Sequence, residues 1–222
     1  MVIQRAGGFC FKISAGDTTV ALNPPSARSK HKVSKFGSDI VVVSVPDDDW
    51  NGVETATHAT KEPFVISGPG AYEVGSVTIS GYGTPASYGD VRSDVGNTIY
   101  VIEMDGIRVL SLGALSNPKL SAEIRSELDD IGVVLVPVGN GTLNPKDAHE
   151  LVTSIEPNVI IPYAVGLPAP ASVSHAGGQA GKEEDLRAFL KTEGETGAKP
   201  VEKFTIRAKE LATMDGDVVL LQ

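Results

Sequence analysis

Several protein classes are excluded by what this sequence lacks. There is one cysteine, Cys10, among 222 residues, so no intrachain disulfide can form and a cytoplasmic location is expected. No apolar run approaches the ~20 residues of a membrane-spanning helix. The N-terminus also lacks the charged and apolar regions of a secretory signal. We therefore expect a soluble protein with no membrane partner.

The sequence also has few positively charged residues. Lys and Arg number 19 against 28 Asp and Glu, which gives a formal net charge of −9 and a surface field that repels phosphate backbones. We therefore expect no nucleic-acid partner. Hydrophobic residues make up 41% and charged residues 21%, as in ordinary globular proteins, and the length suits a single domain over residues 1–222.

The first half of the sequence predicts short strands joined by turns, as in a largely antiparallel sheet. Two apolar runs, 9–14 and 18–22, flank an Ala-Gly-Asp turn. Residues 40–44 form a continuous β-branched run, which is typical of a strand buried on both faces. Asp105-Gly106 lies between two further apolar runs and predicts a β-hairpin.

The second half alternates predicted strands and helices. Helices are expected from Pro118 to about Asp130, from Pro145 to Ile155, and around 186–190 after a long loop at 166–181. Continuous apolar strands precede the second and third helices. Sheets followed by helices indicate an α/β fold of the α+β type, with four layers in an αββα sandwich.

Four segments carry a resemblance to a known family. They are Gly7-Gly8-Phe9-Cys10-Phe11, Val20-Ala21-Leu22-Asn23-Pro24, Gly68-Pro69-Gly70-Ala71-Tyr72-Glu73-Val74-Gly75 and Asn97-Thr98-Ile99-Tyr100. Together they resemble the metallo-β-lactamase superfamily, in particular its small lactonase-like hydrolases, over most of the chain. The resemblance implies the αββα fold and a hydrolase in which His and Asp side chains hold one or two zinc ions.

The metal ligands that the resemblance implies are largely replaced. The family's first metal motif, His-x-His-x-Asp-His, is here Val45-Pro46-Asp47-Asp48-Asp49-Trp50, in which only Asp49 matches. No imidazole or bridging carboxylate stands at the other ligand positions either. A vestigial pocket is therefore expected at Gly8, Val45, Asp47, Asp49, Trp50, Tyr88, Ala114 and Ala164.

Loss of these ligands predicts a protein with no catalytic residues, no metal and no cofactor. Its role would be binding, scaffolding or regulation, with an unidentified small molecule or protein as partner and the oligomeric state left open. Trp50 and Tyr88 are expected to fill the former cavity with apolar surface or, alternatively, to line a pocket for a small ligand.

Asp47 and Asp49 support an alternative function. Carboxylates at the end of a strand bind hard cations such as Mg²⁺, Mn²⁺ or Ca²⁺ through oxygen. The chain would then be a metal-dependent hydrolase of a small lactone, ester or phosphoester. A capped, solvated acidic turn is the simpler interpretation of the same residues.

The remaining candidates are weaker. Residues 176–182 depart from a phosphate-binding loop at both ends, so a flexible loop is the better interpretation. The basic segment 26–38 is expected to be a solvated loop. Cys10 is expected to behave as a small hydrophobe. The four histidines, His31, His58, His149 and His175, form no short-spaced ligand pair. His31 and His58 are expected in polar loops.

Overall fold

The computed structural model describes residues 1–58, 62–88, 93–139, 141–164 and 180–222, and at 93–95, 164 and 180–183 it describes the backbone alone. The strands are β1 (Val2–Gly7), β2 (Cys10–Ala15), β3 (Thr18–Leu22), β4 (Ile40–Val42), β5 (Phe64–Ile66), β6 (Gly70–Val74), β7 (Val77–Ala86), β8 (Ser93–Met104), β9 (Ile107–Ser111), β10 (Val133–Val138), β11 (Val159–Ala164), β12 (Phe204–Thr205) and β13 (Asp217–Val218). The helices are α1 (Ala122–Arg125), α2 (Pro145–Ile155), α3 (Ala180–Thr192) and α4 (Ala208–Leu211).

These strands form two mixed sheets. The first has six strands in the order β12-β1-β2-β3-β4-β5, and the second has seven in the order β13-β11-β10-β9-β8-β7-β6. In the first sheet, β3, β4 and β5 are parallel and the other pairs antiparallel. In the second, β6 to β9 are antiparallel neighbours, while β9, β10, β11 and β13 are parallel.

One buried cluster joins the inner faces of the two sheets. It contains, among others, Ile3, Ile13, Leu22 and Val42 of the first sheet and Tyr100, Ile102, Leu135 and Ile161 of the second. Because strand side chains alternate between faces, the inward half of each strand supplies this layer. The predicted α/β sandwich is confirmed.

The two outer faces are covered differently. A second apolar cluster packs Leu151 and Val152 of α2 and Phe189 of α3 onto the second sheet. Over the first sheet, Val41 and Val43 pack against partners from residues 36–56, where the regular structure is β4 and one 3-10 turn at Val53–Thr55. Apart from these two elements the segment has no regular structure, so this fourth layer is thin and mostly irregular.

Local signals predicted some elements well. Asn144 Oδ1 accepts a hydrogen bond from the Asp147 N–H at 2.9 Å, so α2 begins where the Asn-Pro signal indicated. The predicted β8–β9 hairpin is confirmed. Both turn residues are left-handed, with φ of 57° at Asp105 and 70° at Gly106, as a two-residue hairpin turn requires.

The first predicted helix is much shorter than expected. Asn117 Oδ1 accepts from the Lys119 N–H, which holds a local turn instead of starting a helix. The cap is Ser121, whose Oγ accepts from the Ile124 N–H, and α1 ends four residues later at Arg125. Strand β1 is missing from the prediction because the polar Gln4 and Arg5 interrupt its apolar residues. Among the described helices, none has the length and apolarity needed to cross a bilayer.

Candidate functional site

The carboxyl ends of β4, β9 and β11 meet the β1–β2 turn at one edge of the sandwich, which we call the site edge. The rings of Phe11 and Tyr163 contact each other across the two sheets, with centroids 5.2 Å apart. The Thr98 N–H donates to the Ser44 carbonyl at 2.9 Å and also joins the sheets. Carboxyl ends of parallel strands are the usual place for ligands in such sheets.

A polar frame holds the loops of the site edge, and we define it as Asn23, Asn97 and Tyr163 with the groups that they bind. Asn97 is fully buried; its Nδ2 donates to Thr84 Oγ1 at 2.8 Å and to the Leu112 carbonyl at 3.1 Å. Its Oδ1 accepts from the Ala114 N–H at 2.8 Å. One side chain therefore fixes the loop that follows β9 from both sides.

The rest of the polar frame holds two further loops. Asn23 Oδ1 accepts from the Ser44 N–H at 2.8 Å, directly after β4. The Tyr163 hydroxyl donates to the Gly113 carbonyl at 2.5 Å. Gly113 has a φ of +57°, and a Cβ there would lie 2.3 Å from Asn97 Oδ1, so only glycine fits.

An aromatic cluster occupies the middle of the site edge, and we define it as Phe9, His31, Trp50 and Tyr88. Phe9 stacks on Trp50 with centroids 4.5 Å apart, and Tyr88 meets both rings edge to face at 5.7 and 5.3 Å. His31 meets Phe9 edge to face at 5.0 Å. Trp50 and Tyr88 are 0% and 1% exposed, so these two rings are packed on all sides.

Asp49 lies against the aromatic cluster and uses both of its carboxylate oxygens. Ser29 Oγ donates to Oδ1 at 2.5 Å, and the Tyr88 hydroxyl donates to Oδ2 at 2.7 Å. His31 Nε2 is 3.8 Å from Oδ2. Burial, followed by the hydrogen bond to Asp49, raises the pKa of Tyr88 above its usual value, so this hydroxyl stays a proton donor.

The three neighbouring aspartates have different partners. Asp47 Oδ1 accepts from the Asp49 N–H at 2.9 Å within the turn itself. Asp48 forms a two-pronged ion pair with Arg28 at the surface, at 2.6 and 2.9 Å, and these hydrogen bonds lower its pKa. Asp49 therefore differs from Asp48 in pointing its carboxylate to the aromatic cluster.

The remaining residues of the expected pocket are backbone or apolar positions. Gly8 has a φ of +55°, and a Cβ there would lie 3.0 Å from the Cβ and Cγ of His31. Val45 and Ala114 are fully buried in the same core cluster as Trp50 and Tyr88. Ala164 ends β11 opposite Val138, and its side chain lies outside the described residues.

The zinc site that the resemblance implies does not fit the side chains found here. Zinc hydrolysis needs about three imidazole or carboxylate ligands and an open position for water. Among the described residues of the site edge, the Asp49 carboxylate and the His31 imidazole come together, and Tyr88 and Phe9 pack against them. Within the described ranges, no group of three His, Cys, Asp or Glu side chains is arranged to hold a metal ion.

Sequence reasoning missed two contributors, Ser29 and His31. The prediction of a solvated loop at 26–38 is wrong at these positions, since Ser29 is buried and the His31 ring contacts Phe9 and Asp49. Ser29 Oγ also accepts from the His31 N–H at 2.9 Å, which folds the segment over the cluster. The alternation of Ser, Lys and His gave no sign of this, because the contact spans 20 residues.

The other candidates lie elsewhere. His149 Nδ1 is 2.8 Å from Glu193 Oε1 and links α2 to α3. His58 is exposed beside Gly37. Cys10 is buried, and burial raises the pKa of its thiol to about 12. His175 and most of the segment 176–182 lie outside the described residues.

Comparison with known proteins gives a consistent result. The family model of the beta-lactamase superfamily domain matches residues 2–164. A Thermotoga maritima protein named as a Zn-dependent hydrolase of the metallo-beta-lactamase superfamily is 26% identical over 100% of this chain and 99% of its own, with a TM-score of 0.73. No curated protein matches the sequence.

More distant structures share the fold alone. A Parabacteroides distasonis protein named as a metal-dependent hydrolase is 14% identical, with a TM-score of 0.62 over 99% of this chain and 93% of its own. A metallo-beta-lactamase fold protein from Bacillus subtilis is 12% identical, with a TM-score of 0.59 over 100% of this chain and 96% of its own.

Proposed function

The chain belongs to the beta-lactamase superfamily, and we propose that it is a member that has lost its zinc centre and acts by binding rather than by hydrolysis. The single observation that supports this proposal most is the packing of Trp50 and Tyr88 at the end of β4. Both rings are buried and packed against Phe9, so they leave little room for a metal and its water beside Trp50, where the resemblance places the end of the first metal motif.

The chemistry of Asp49 points the same way. Both oxygens of Asp49 already accept hydrogen bonds from hydroxyl groups, so the carboxylate is held by partners within the protein. Tyr88 and Ser29 are donors here, and a cation at the same place would face their protons. Asp49 therefore works as an acceptor that orients Ser29, Tyr88 and His31 within the protein.

The binding role follows from what the site edge keeps. The polar frame preserves the course of its loops, so a shaped surface remains although its metal donors are gone. A small molecule or a protein would occupy this surface. Cytoplasmic location, the lack of a nucleic-acid partner and the lack of a cofactor are parts of the same proposal.

Metal content is the experiment that tests the loss of zinc. Untagged protein is purified without chelators, offered Zn²⁺, Mn²⁺ and Mg²⁺, desalted and measured by mass spectrometry, and then assayed on lactones, esters and phosphoesters. We expect far less than one ion per chain and no turnover. Asp49→Ala should leave both values unchanged.

The alternative, a hydrolase with a hard cation at Asp47 and Asp49, predicts the opposite set of results. One or two retained ions per chain and a turnover that Asp49→Ala abolishes would contradict our proposal. Asp48→Ala is the matched control, because Asp48 is adjacent but pairs with Arg28 at the surface. Equal losses in both variants would indicate general destabilisation, which a melting curve identifies.

A further inference from the structure

Arg5 is a cation on an inward-facing position of the first sheet. It lies opposite Phe11 in the β1–β2 pairing, and residues directly opposite each other in antiparallel strands share one face. Phe11 is 1% exposed and contacts Tyr163, so this face is the inner one at the site edge. The Arg5 side chain is half-buried there, two residues beyond the core residue Ile3.

Among the described residues, the guanidinium of Arg5 has one hydrogen-bond partner, and that partner is an uncharged carbonyl. Nε and Nη2 donate to the Gly8 carbonyl at 3.0 and 2.8 Å. In the described part of the chain, no carboxylate pairs with Arg5, and the titratable group that acts on it is the Tyr163 hydroxyl. Burial lowers the pKa of Arg5, and the effect of Tyr163, which raises it, is smaller.

Two other arginines show how this chain treats a guanidinium at its surface. The Nε and Nη2 groups of Arg28 both donate to the Asp48 carboxylate. The guanidinium of Arg108 lies at the exposed end of a half-buried residue and donates to the carbonyls of Glu127 and Asp129. Arg5 differs from Arg28 because no carboxylate among the described residues pairs with it, and from both because its side chain lies on the inner face of a sheet.

A withdrawn charge without a counter-charge is costly, and proteins compensate for it with a partner or a bound ion. The hydrogen bonds to Gly8 use the Nε side of the guanidinium. The Nη1 and Nη2 groups at its far end still carry N–H donors, in the parallel arrangement that matches two oxygens of one oxyanion.

We propose that Arg5 anchors a small oxyanion, the carboxylate or phosphate group of a metabolite, at the site edge beside Gly8 and Tyr163. This names the ligand class of the binding role proposed above and rests on it. The net charge of −9 does not attract anions over a distance, so recognition depends on local contacts. A small ligand fits this requirement better than a polyanion, which would meet the acidic surface.

A titration of the complete, ¹⁵N-labelled protein with three sodium salts tests the site. The salts are phosphate, acetate and chloride at matched ionic strength near neutral pH, and the signals are the Arg5 Nε–H and the Gly8 amide. We expect saturable shifts with phosphate, with acetate or with both, and none with chloride. The anion whose shifts saturate at the lower concentration shows whether the site prefers a phosphate or a carboxylate group.

Arg5→Lys keeps the charge and loses the planar fork, so we expect about a tenfold weaker affinity for the preferred anion. Arg108→Lys is the control and should bind as the unaltered protein does. Unchanged affinity in Arg5→Lys would overturn the proposal. If Arg5→Lys does not fold, the titration of the unaltered protein still tests the proposal. The absence of a saturable shift with phosphate and acetate would overturn it, and so would an equal shift with chloride.

The two proposals fail in different ways. A protein that retains metal and turns over a substrate contradicts the loss of zinc, whatever the anion titration gives. A metal-free, inactive protein whose Arg5 signal does not shift contradicts the anion site alone.

Discussion

The polar frame and the aromatic cluster lie side by side at the site edge and are built by opposite means. The polar frame holds backbone groups through buried amide and hydroxyl side chains, each with its partners at 2.5 to 3.1 Å. The aromatic cluster consists of one stacked pair of rings with the other rings packed edge to face, beside one carboxylate. The first determines where the loops run, and the second determines what occupies the space between them.

The comparison shows that the two tasks are carried by separate residues. Asn23, Asn97 and Tyr163 bind backbone groups, and their geometry does not depend on what fills the space. If Val45, Trp50 and Ala114 stand in place of metal donors, as we propose, this replacement would leave the loop framework intact. Members of one superfamily can differ in chemistry at this edge while sharing its backbone.

The largest expected effect is that of Trp50→Ala. If the aromatic cluster is filling, the substitution leaves a cavity beside Phe9 and Tyr88 and lowers the free energy of unfolding by about 3 to 5 kcal/mol. Chemical denaturation measures this loss, and Trp50→Phe should recover part of it. A loss below about 1 kcal/mol would indicate a loosely packed ring that lines a ligand pocket instead.

Asn97→Ala tests the polar frame and should cost about 3 kcal/mol. It leaves the Ala114 N–H, the Leu112 carbonyl and Thr84 Oγ1 without their buried partner. Denaturant unfolding with Asn117→Ala as an exposed control checks the value. If both variants unfold at the same denaturant concentration, the polar frame does not hold the loop after β9.

Tyr88→Phe and Tyr163→Phe compare one hydroxyl from each region. Tyr88 donates to the Asp49 carboxylate and Tyr163 to the Gly113 carbonyl. Hydrogen bonds to a charged acceptor are stronger, so we expect losses of about 2 kcal/mol for Tyr88→Phe and about 1 kcal/mol for Tyr163→Phe. Unfolding curves measured side by side decide the order. The reverse order would mean that the Tyr163 hydrogen bond contributes more to stability than the Tyr88 hydrogen bond.

The smallest expected effect concerns Cys10. This residue lies in the sequence between Phe9 of the aromatic cluster and Phe11, which contacts Tyr163, so the reactivity of its thiol tests the packing of both regions. Burial raises the pKa of its thiol from 9.0 to about 12. The protonated thiol should not react with a disulfide reagent at about pH 8, and denaturant should release one reactive group per chain.

The same shift predicts a pH dependence. The unfolded chain loses the thiol proton above about pH 9, whereas the folded chain keeps it. The contribution of Cys10 to stability is therefore complete below pH 9 and falls as the pH rises towards 12. Cys10→Ser should flatten this part of the stability profile, measured by denaturant unfolding; a profile unchanged by the substitution would contradict the shift.

Sequence patterns predicted the parts of the fold that depend on neighbouring residues. The Asn144 cap, the Asp105-Gly106 turn and the β-branched run of β4 each act within a few positions, so they are visible in order along the chain. The first helix was overestimated because the Asn117 turn competes with the cap at the same local scale. At the site edge, the positions were predicted from the resemblance, while their packing was not.

By itself, the sequence determined the α/β class and the turns, since these depend on residue type and local periodicity, and it is the basis of the proposal that metal donors around Asp49 are replaced. The tertiary structure alone decided that Ser29 and His31 fold over Asp49, that Trp50 stacks on Phe9, and that the sheet face shared by Arg5 and Phe11 meets Tyr163 of the second sheet. The physical reason is distance along the chain. These contacts join segments that are far apart in sequence, and only the closing of two sheets around one core brings them within reach.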